Sequence, residues 1–218
     1  MQLDLWNPKF LFWNDIETTG LNPRSDHLLE VSYIITEFNY PYNTIHEDTH
    51  LILGNGRESI FNAVDGFPSY IDSNVVEMHH KSGLVEDLKD ISKCITVLEV
   101  ERNLLNLSFN WPLPDKTASA EEKSQKVCIA GNSCHFDLGF IRQYMPAFAK
   151  RLSYRTFDVR AISMFCASLG MPKKTEKEPT HRAKDDIQYS INHARECYEW
   201  LNEHFTTKYR DESTKTVL

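Results

Sequence analysis

The sequence predicts an α/β fold, a mixed five-stranded sheet flanked by helices, on two kinds of pattern. Short runs of β-branched and aromatic residues end at Gly, Asn and Asp turns, whereas longer segments repeat apolar residues at intervals of three and four. Three strand-like runs come first. Helices and strands then succeed one another to the end of the chain, the order of an α/β layer architecture.

The first strand opens at Phe10 to Trp13, continues into Asp15, Ile16 and Glu17, and stops at a Thr-Thr-Gly turn, 18–20. Leu28 to Phe38 and Ile45 to Leu53 complete an antiparallel meander of three. Residues 55–73 carry Gly, Pro, Asn and Asp and read as loop with one short helix. Helical spacing is expected over Ser73–His80, Ser82–Ser92 and Ile95–Leu107. Two prolines and a polar tract make 111–126 a mobile internal loop. Lys126 to Ala130 is a compact strand broken by Gly131-Asn132-Ser133, and His135 to Tyr144 is the helix that follows. Ser153–Asp158 is the last strand. Val159–Leu169 is a helix stopped by Gly170 and Pro172, and 173–179 is a charged loop. From Thr180 to Phe205 one long amphipathic helix places Ile187, Ile191, Ala194, Tyr198 and Leu201 on one face. The tail after Thr207 is polar and expected to fray.

A chain of 218 residues, 41% hydrophobic and 25% charged, suffices for one substantial core. A single domain over 1–218 is expected, its folded part about 10–205. No run approaches the roughly 20 apolar residues of a membrane span, and the start, MQLDLWNPKF, lacks a secretory signal. No membrane association is expected. The five cysteines form no C-x-x-C pair, which argues against a zinc knuckle or a disulfide framework and for a reducing intracellular compartment, the cytoplasm or a mitochondrion. A net charge of -7 disfavours a protein that grips long nucleic acid through many phosphates. A short anionic substrate held through bound cations remains compatible.

Asp15 and Glu17, two apart on a strand, project from the same face. Two neighbouring carboxylates repel unless a divalent cation sits between them, and oxygen donors suit Mg²⁺ or Mn²⁺. The plainer alternative is the solvated end of an edge strand. Asp137, in the first turn of its helix, has the favourable helix dipole as its plain reading. His181 and Asp186 lie five apart at the start of the last helix and can face one cleft; a surface residue or cap partner is the plain reading of His181. Asp185 reads as a solvated helix charge.

Taken together, a D-x-E, an aspartate after a strand–Gly-Asn-Ser turn, and an H-x-x-x-x-D on the last helix resemble the three motifs of the DEDDh exonuclease superfamily, with its ribonuclease-H-like fold. Within it, the chain is most similar to the oligoribonuclease family, through DIETTGL at 15–21, SGLVE at 82–86, GNS-x-x-x-D at 131–137, YMP at 144–146, YR at 154–155 and THRAKDDI at 180–187. The resemblance spans roughly residues 10–205. It implies that Asp15, Glu17, Asp137 and Asp186 hold two divalent cations, Mg²⁺ or Mn²⁺, with His181 as general base. Two cations roughly 4 Å apart stabilise both the attacking and the leaving oxygen in displacement at a phosphodiester, and imidazole titrates near neutrality, as a general base must. The implied activity is 3′-to-5′ hydrolysis of short single-stranded RNA to nucleoside 5′-monophosphates by a homodimer.

The resemblance also implies substrate contacts from Thr18, Leu21, His79, Ser133, Tyr154 and Arg155. Leu21 would wedge against the terminal base, with a core leucine as the alternative. Tyr154 and Arg155 would help cap the 5′ end, the tyrosine reaching in from the second subunit, with strand packing as the alternative for Tyr154. Three positions depart from the family pattern: Asn74 stands where a stacking tryptophan is usual, and Phe136 and Ser153 replace residues commonly Gln and His. These departures weaken the case for a strict dinucleotide preference. Two alternatives remain open, a broader DEDDh exonuclease acting on single-stranded DNA or longer RNA ends, and a binding module without catalysis.

Overall fold

Side chains alternate along the first strand, and the two faces so created are covered by different helices. The computed structural model describes residues 8, 10–66, 70–108, 127–172 and 180–206. The expected loop over 111–126, the charged loop over 173–179 and the polar tail after Thr207 lie outside the described residues. The strands are β1 (Phe10–Thr18), β2 (Leu28–Glu37), β3 (Thr44–Ile52), β4 (Cys94–Ile95), β5 (Val127–Gly131) and β6 (Leu152–Asp158). The helices are α1 (Asn55–Val64), α2 (Ser73–Lys81), α3 (Leu84–Asp87), α4 (Val97–Ser108), α5 (His135–Tyr144), α6 (Pro146–Ala149), α7 (Val159–Ser168) and α8 (Ala183–Leu201).

The sheet order is β4-β3-β2-β1-β5-β6. β1, β2 and β3 form the expected antiparallel meander, and β5 and β6 add in parallel on the other side of β1. Phe12 and Ile16 pack on one face with Tyr33, Val100, Leu104, Phe140 and Phe148, beneath α4, α5 and α6. Leu11 and Trp13 take the opposite face with Ile34, Ile187, Ile191 and Ala194, beneath α8. Asp15 and Glu17 share the parity of Leu11 and Trp13, so they emerge where that apolar face ends, beside the start of α8. α1, α2 and α3 bury a smaller cluster around Leu29, Ile60, Leu84 and Leu88.

The structure corrects several element boundaries. It has six strands among the described residues, because Cys94 and Ile95 pair in parallel with Leu51 and Ile52. Ile95, expected in a helix, thus ends as a strand residue whose carbonyl accepts the Leu53 N–H at 2.8 Å. α4 begins only after Thr96, where a reciprocal cap forms: Thr96 N–H donates to Glu99 Oε2 at 2.8 Å and Glu99 N–H to Thr96 Oγ1 at 3.3 Å. The helix expected over Ser82–Ser92 is only the four-residue α3 followed by a 3₁₀ turn over Ile91–Lys93. Gly83, at φ 78°, adopts a left-handed conformation that interrupts helical continuity after α2. α1, ten residues long, is the one short helix expected within 55–73, held by burial of Ile60 against Leu84 and Leu88. α8 starts at Ala183 rather than Thr180, since His181 stands at φ 54°, and residues 202–206 relax into a wider turn. Among the described residues no helix is long and apolar enough to cross a membrane.

Candidate active site

α8 packs on the Leu11–Trp13 face through Ala183, Ile187, Ser190, Ile191, Ala194 and Cys197, a continuous buried stripe. Asp186 lies three residues after Ala183 and four before Ser190, on the border of that stripe, and is half-buried beside β1. The left-handed backbone at His181 folds the preceding residues over the helix start, so that Thr180 N–H donates to Asp186 Oδ1 at 3.3 Å. One ligand atom from each of Glu17, His181 and Asp186 lies within 4.8 Å of the other two. Asp185 points to solvent, consistent with its plain reading.

Asp137 arrives from the other side of β1. β5 ends at Gly131, and the turn after it holds Ser133 at φ 60° before α5 begins. Asp158, which caps α7 through Arg160 N–H at 3.0 Å, also accepts from Ser133 N–H at 3.3 Å and Cys134 N–H at 3.1 Å. The turn is thereby fixed to the end of β6. Asp137, in the first turn of α5, is only 4% exposed.

The electrostatics tie all four carboxylates together. Burial raises the Asp15 pKa well above the ordinary carboxylate range, and the charges of Asp137, Glu17, Asp186 and Glu30 raise it further. Glu17 is pushed up to about 8, first by burial and then by Glu30 and Asp186, with Arg182 opposing. Asp137 is pushed up to about 8 by burial, against hydrogen bonds from its own amide and that of Ile16. Asp186 is raised by burial, while the Thr180 amide and His181 pull it down. Such a set resists ionisation when bare. A divalent cation among the oxygens reverses that preference, so this buried, oxygen-rich donor set fits a hard cation.

The sequence-predicted substrate residues fall into two groups. Leu21 is 81% exposed at the tip of the loop after β1, which excludes the core-leucine alternative. That loop is held by Thr19 N–H to His27 O at 2.9 Å, by Asn22 N–H to Asp26 Oδ2 at 2.8 Å, and by Tyr144, whose hydroxyl donates to Asp26 O. A Cβ at Gly20 would come within 2.6 Å of the Asp26 carboxylate, so a larger residue there would force that side chain to shift. Tyr154 is likewise 81% exposed, with the Arg155 guanidinium 4.7 Å from its ring centroid, so it is not packed in the strand layer. Both lie on the edge strand β6, two strands from β1.

Thr18 and His79 are buried instead. Thr18 Oγ1 donates to Gly20 O at 2.6 Å, and its carbonyl accepts from His79 Nε2 at 2.8 Å. His79, 0% exposed, lies behind the carboxylates with no surface to offer a substrate. Its Nδ1 stands 3.7 Å from Glu17 Oε2, beyond hydrogen-bond distance, and is left without a hydrogen-bond partner. Burial lowers the His79 pKa, so the ring is neutral here and supports Glu17 by packing rather than as an ion pair. An open cavity of about 420 Å³ beside His181 is lined by Asn74, Met78, Lys81, Ser82 and Thr180. Asn74 turns its amide back onto Asp72 Oδ1 at 2.9 Å.

No protein-family model matches the chain. A curated relative, the oligoribonuclease of Nocardia farcinica, is 33% identical over 189 residues, covering 84% of this chain and 76% of that protein. The chain belongs to the oligoribonuclease family. The mitochondrial oligoribonuclease of Homo sapiens is 30% identical over 95% of this chain and 78% of its own length. Among solved structures, Escherichia coli exonuclease I in complex with a 5cy-dA13 oligonucleotide has a TM-score of 0.57 at 13% identity over 94% of this chain. Exonuclease I from Methylocaldum szegediense has a TM-score of 0.57 at 15% identity over 90% of this chain. The chain spans 43% and 41% of those two structures, which share its ribonuclease-H-like fold.

Sequence reasoning missed the charged groups bonded around this site: Glu30, Asp87, Asp158 and Arg182. Glu30 was visible as a charged residue inside the apolar run LLEVSYII. Arg182 was visible as a helix-start residue that supplies no cap of its own.

The raised carboxylates predict a pH dependence in protein stripped of cations. Glu17 and Asp137 keep their protons up to about pH 8 when folded, against ordinary values of 4.5 and 3.8. Between those limits the native state binds more protons than the unfolded chain, so its stability falls as pH rises. The melting temperature in EDTA is expected to drop between about pH 5 and pH 8, and Glu17→Gln to flatten part of that drop. A melting temperature that is level or rising over that range contradicts the assignment.

Proposed function

We infer that the chain is a 3′-to-5′ exoribonuclease that hydrolyses short RNA to nucleoside 5′-monophosphates. Family membership supports the activity. The site reading rests on one observation, the meeting of Glu17, His181 and Asp186 from β1, the turn before α8 and α8 itself, within 4.8 Å. Asp15 and Asp137 complete the set electrostatically. The four carboxylates would hold two divalent cations, Mg²⁺ or Mn²⁺, whose charge offsets that of the scissile phosphate and of the developing leaving oxygen. His181 takes the proton from the attacking water. The water oxygen bonds to phosphorus as the bond from phosphorus to the 3′ oxygen of the preceding nucleotide breaks, and that oxygen takes a proton from solvent and leaves as the 3′ hydroxyl of the shortened strand. Leu21, exposed at its loop tip, would lie against the terminal base, and Ser133 would border the phosphate.

A homodimer is part of this proposal. Tyr154 on β6, the edge strand of the sheet, and Met164, Phe165 and Leu169 in and just after α7 are large apolar side chains left exposed. An edge strand and exposed apolar side chains are surfaces that a second copy can cover. A second copy seated there would bring its Tyr154 toward the partner's substrate end, which limits the strand length the cleft admits. The chain would act in an intracellular compartment, cytoplasmic or mitochondrial, in keeping with five free, buried cysteines. The broader-range alternative has its own support in Asn74, which supplies no stacking platform. The five polar groups retained at one site argue against a binding module without catalysis.

Removing a positioned general base costs on the order of 10² to 10⁴ in rate. His181→Ala should lose that much kcat on a trinucleotide while Mn²⁺ affinity by calorimetry stays within a few-fold. Asp186→Asn should lose both. Near wild-type turnover of His181→Ala across about pH 6 to 9 removes His181 from the role.

The lost stacking contact, worth about 1 to 3 kcal/mol per base on aromatic platforms, relaxes length discrimination without abolishing it. RNA of two to about five nucleotides should be preferred, with slower trimming of longer single strands and of short DNA, because the acidic chain offers no basic track. Tyr154→Ala should weaken that short-substrate preference further. Equal kcat/KM for a dinucleotide and a twenty-mer favours the broader exonuclease.

A further inference from the structure

α8 begins without a cap of its own: Arg182 stands at the capping position and makes no side-chain bond to the first turn. Free N–H groups at a helix start need an acceptor, ordinarily a local Ser, Thr, Asp or Asn. Here the acceptor comes from the sheet. Glu30 of β2, 1% exposed, accepts the Ala183 N–H at 2.9 Å through Oε2 and Arg182 Nη2 at 2.8 Å through Oε1. The second arm of the same guanidinium reaches Asp87 Oδ2, at the end of α3, at 2.8 Å. Glu30 stands opposite Glu17 in the β1–β2 register, so their side chains share a face.

We propose that Glu30, Arg182 and Asp87 form a positioning clamp that sets the start of α8, and with it His181 and Asp186, against β1. The inference rests on the active-site reading above and adds three residues that touch no reacting atom. The clamp has two consequences. It anchors the helix end mechanically, from a strand on one side and α3 on the other. It also places the Arg182 positive charge against a buried carboxylate that otherwise adds a fifth negative charge beside Glu17. A guanidinium fork bonded to two carboxylates has a defined orientation that a flexible ammonium lacks.

The two consequences separate experimentally. A misplacement of about 1 Å at a catalytic group can cost 10²-fold. Arg182→Gln should therefore lose about 10²-fold in kcat on a trinucleotide, with KM within about threefold, and Arg182→Lys should recover only part of it. Asp87→Asn, at a half-exposed position, keeps the fold secure and should lose about tenfold by the same argument. Adding Glu30→Gln to Arg182→Gln keeps an acceptor for Ala183 but removes the stranded charge, and should recover a large part of the Arg182→Gln loss. Hydrogen exchange gives a readout independent of turnover: amides of 181–187 should exchange faster in Arg182→Gln and Asp87→Asn, with β1 and β5 unchanged. Unchanged exchange at 181–187 in both variants, a loss confined to KM, or a double variant no better than Arg182→Gln overturns the clamp. Wild-type protein inactive on RNA with Mg²⁺ or Mn²⁺ would instead defeat the active-site reading and leave the exchange result standing on its own.

Discussion

Four carboxylates held close together in a partly buried cleft are an unfavourable arrangement, and much of this structure is arranged around keeping them there. Burial drives the Asp15, Glu17 and Asp137 pKa values upward, and repulsion within the cluster adds to it at Asp15 and Glu17. A protein gains nothing in stability from such a cluster at neutral pH. The surrounding scaffold must therefore be strong enough to impose it: β1 is hydrogen-bonded on both sides, and both of its faces are covered by helices.

The route from strand to site is short. Apolar residues at alternate positions hold β1 beneath α8, and the same alternation continues past the end of the apolar face into Asp15 and Glu17. Helical periodicity in α8 does the complementary job, since the stripe that buries Ile187, Ile191 and Ala194 leaves Asp186 on its border. The supporting groups act one step back. Asp158 ties down the turn before α5, His79 fills the space behind Glu17, and the Glu30 carboxylate receives the start of α8.

The sheet, the helices on its faces and the four carboxylates were legible because each depends on local period or on an ordered motif. What was not legible depended on distance in space. Ile95 has helical neighbours in sequence, yet the edge of β3 offers it a backbone partner, and the T-x-x-E cap two residues further on marks where the helix actually starts. The break at Gly83 was signalled only by a glycine inside an otherwise helical pattern. His79 matched a motif but not a surface, because burial cannot be read from spacing alone. Leu21 and Tyr154 were ambiguous for the same reason, and exposure resolved both in favour of surface positions. The partners of Arg182 lie 152 and 95 positions away in the chain, beyond what helix-start rules can anticipate.

The chemistry of the site turns on whether the cluster at the end of β1 binds divalent cations. Anomalous scattering from crystals soaked in Mn²⁺ tests it most directly, because it locates the ion without reference to activity. Anomalous peaks are expected among Asp15, Glu17, Asp137 and Asp186, weakened or lost in Asp15→Asn. Manganese bound only elsewhere on the molecule, with the four carboxylates left bare, would contradict it.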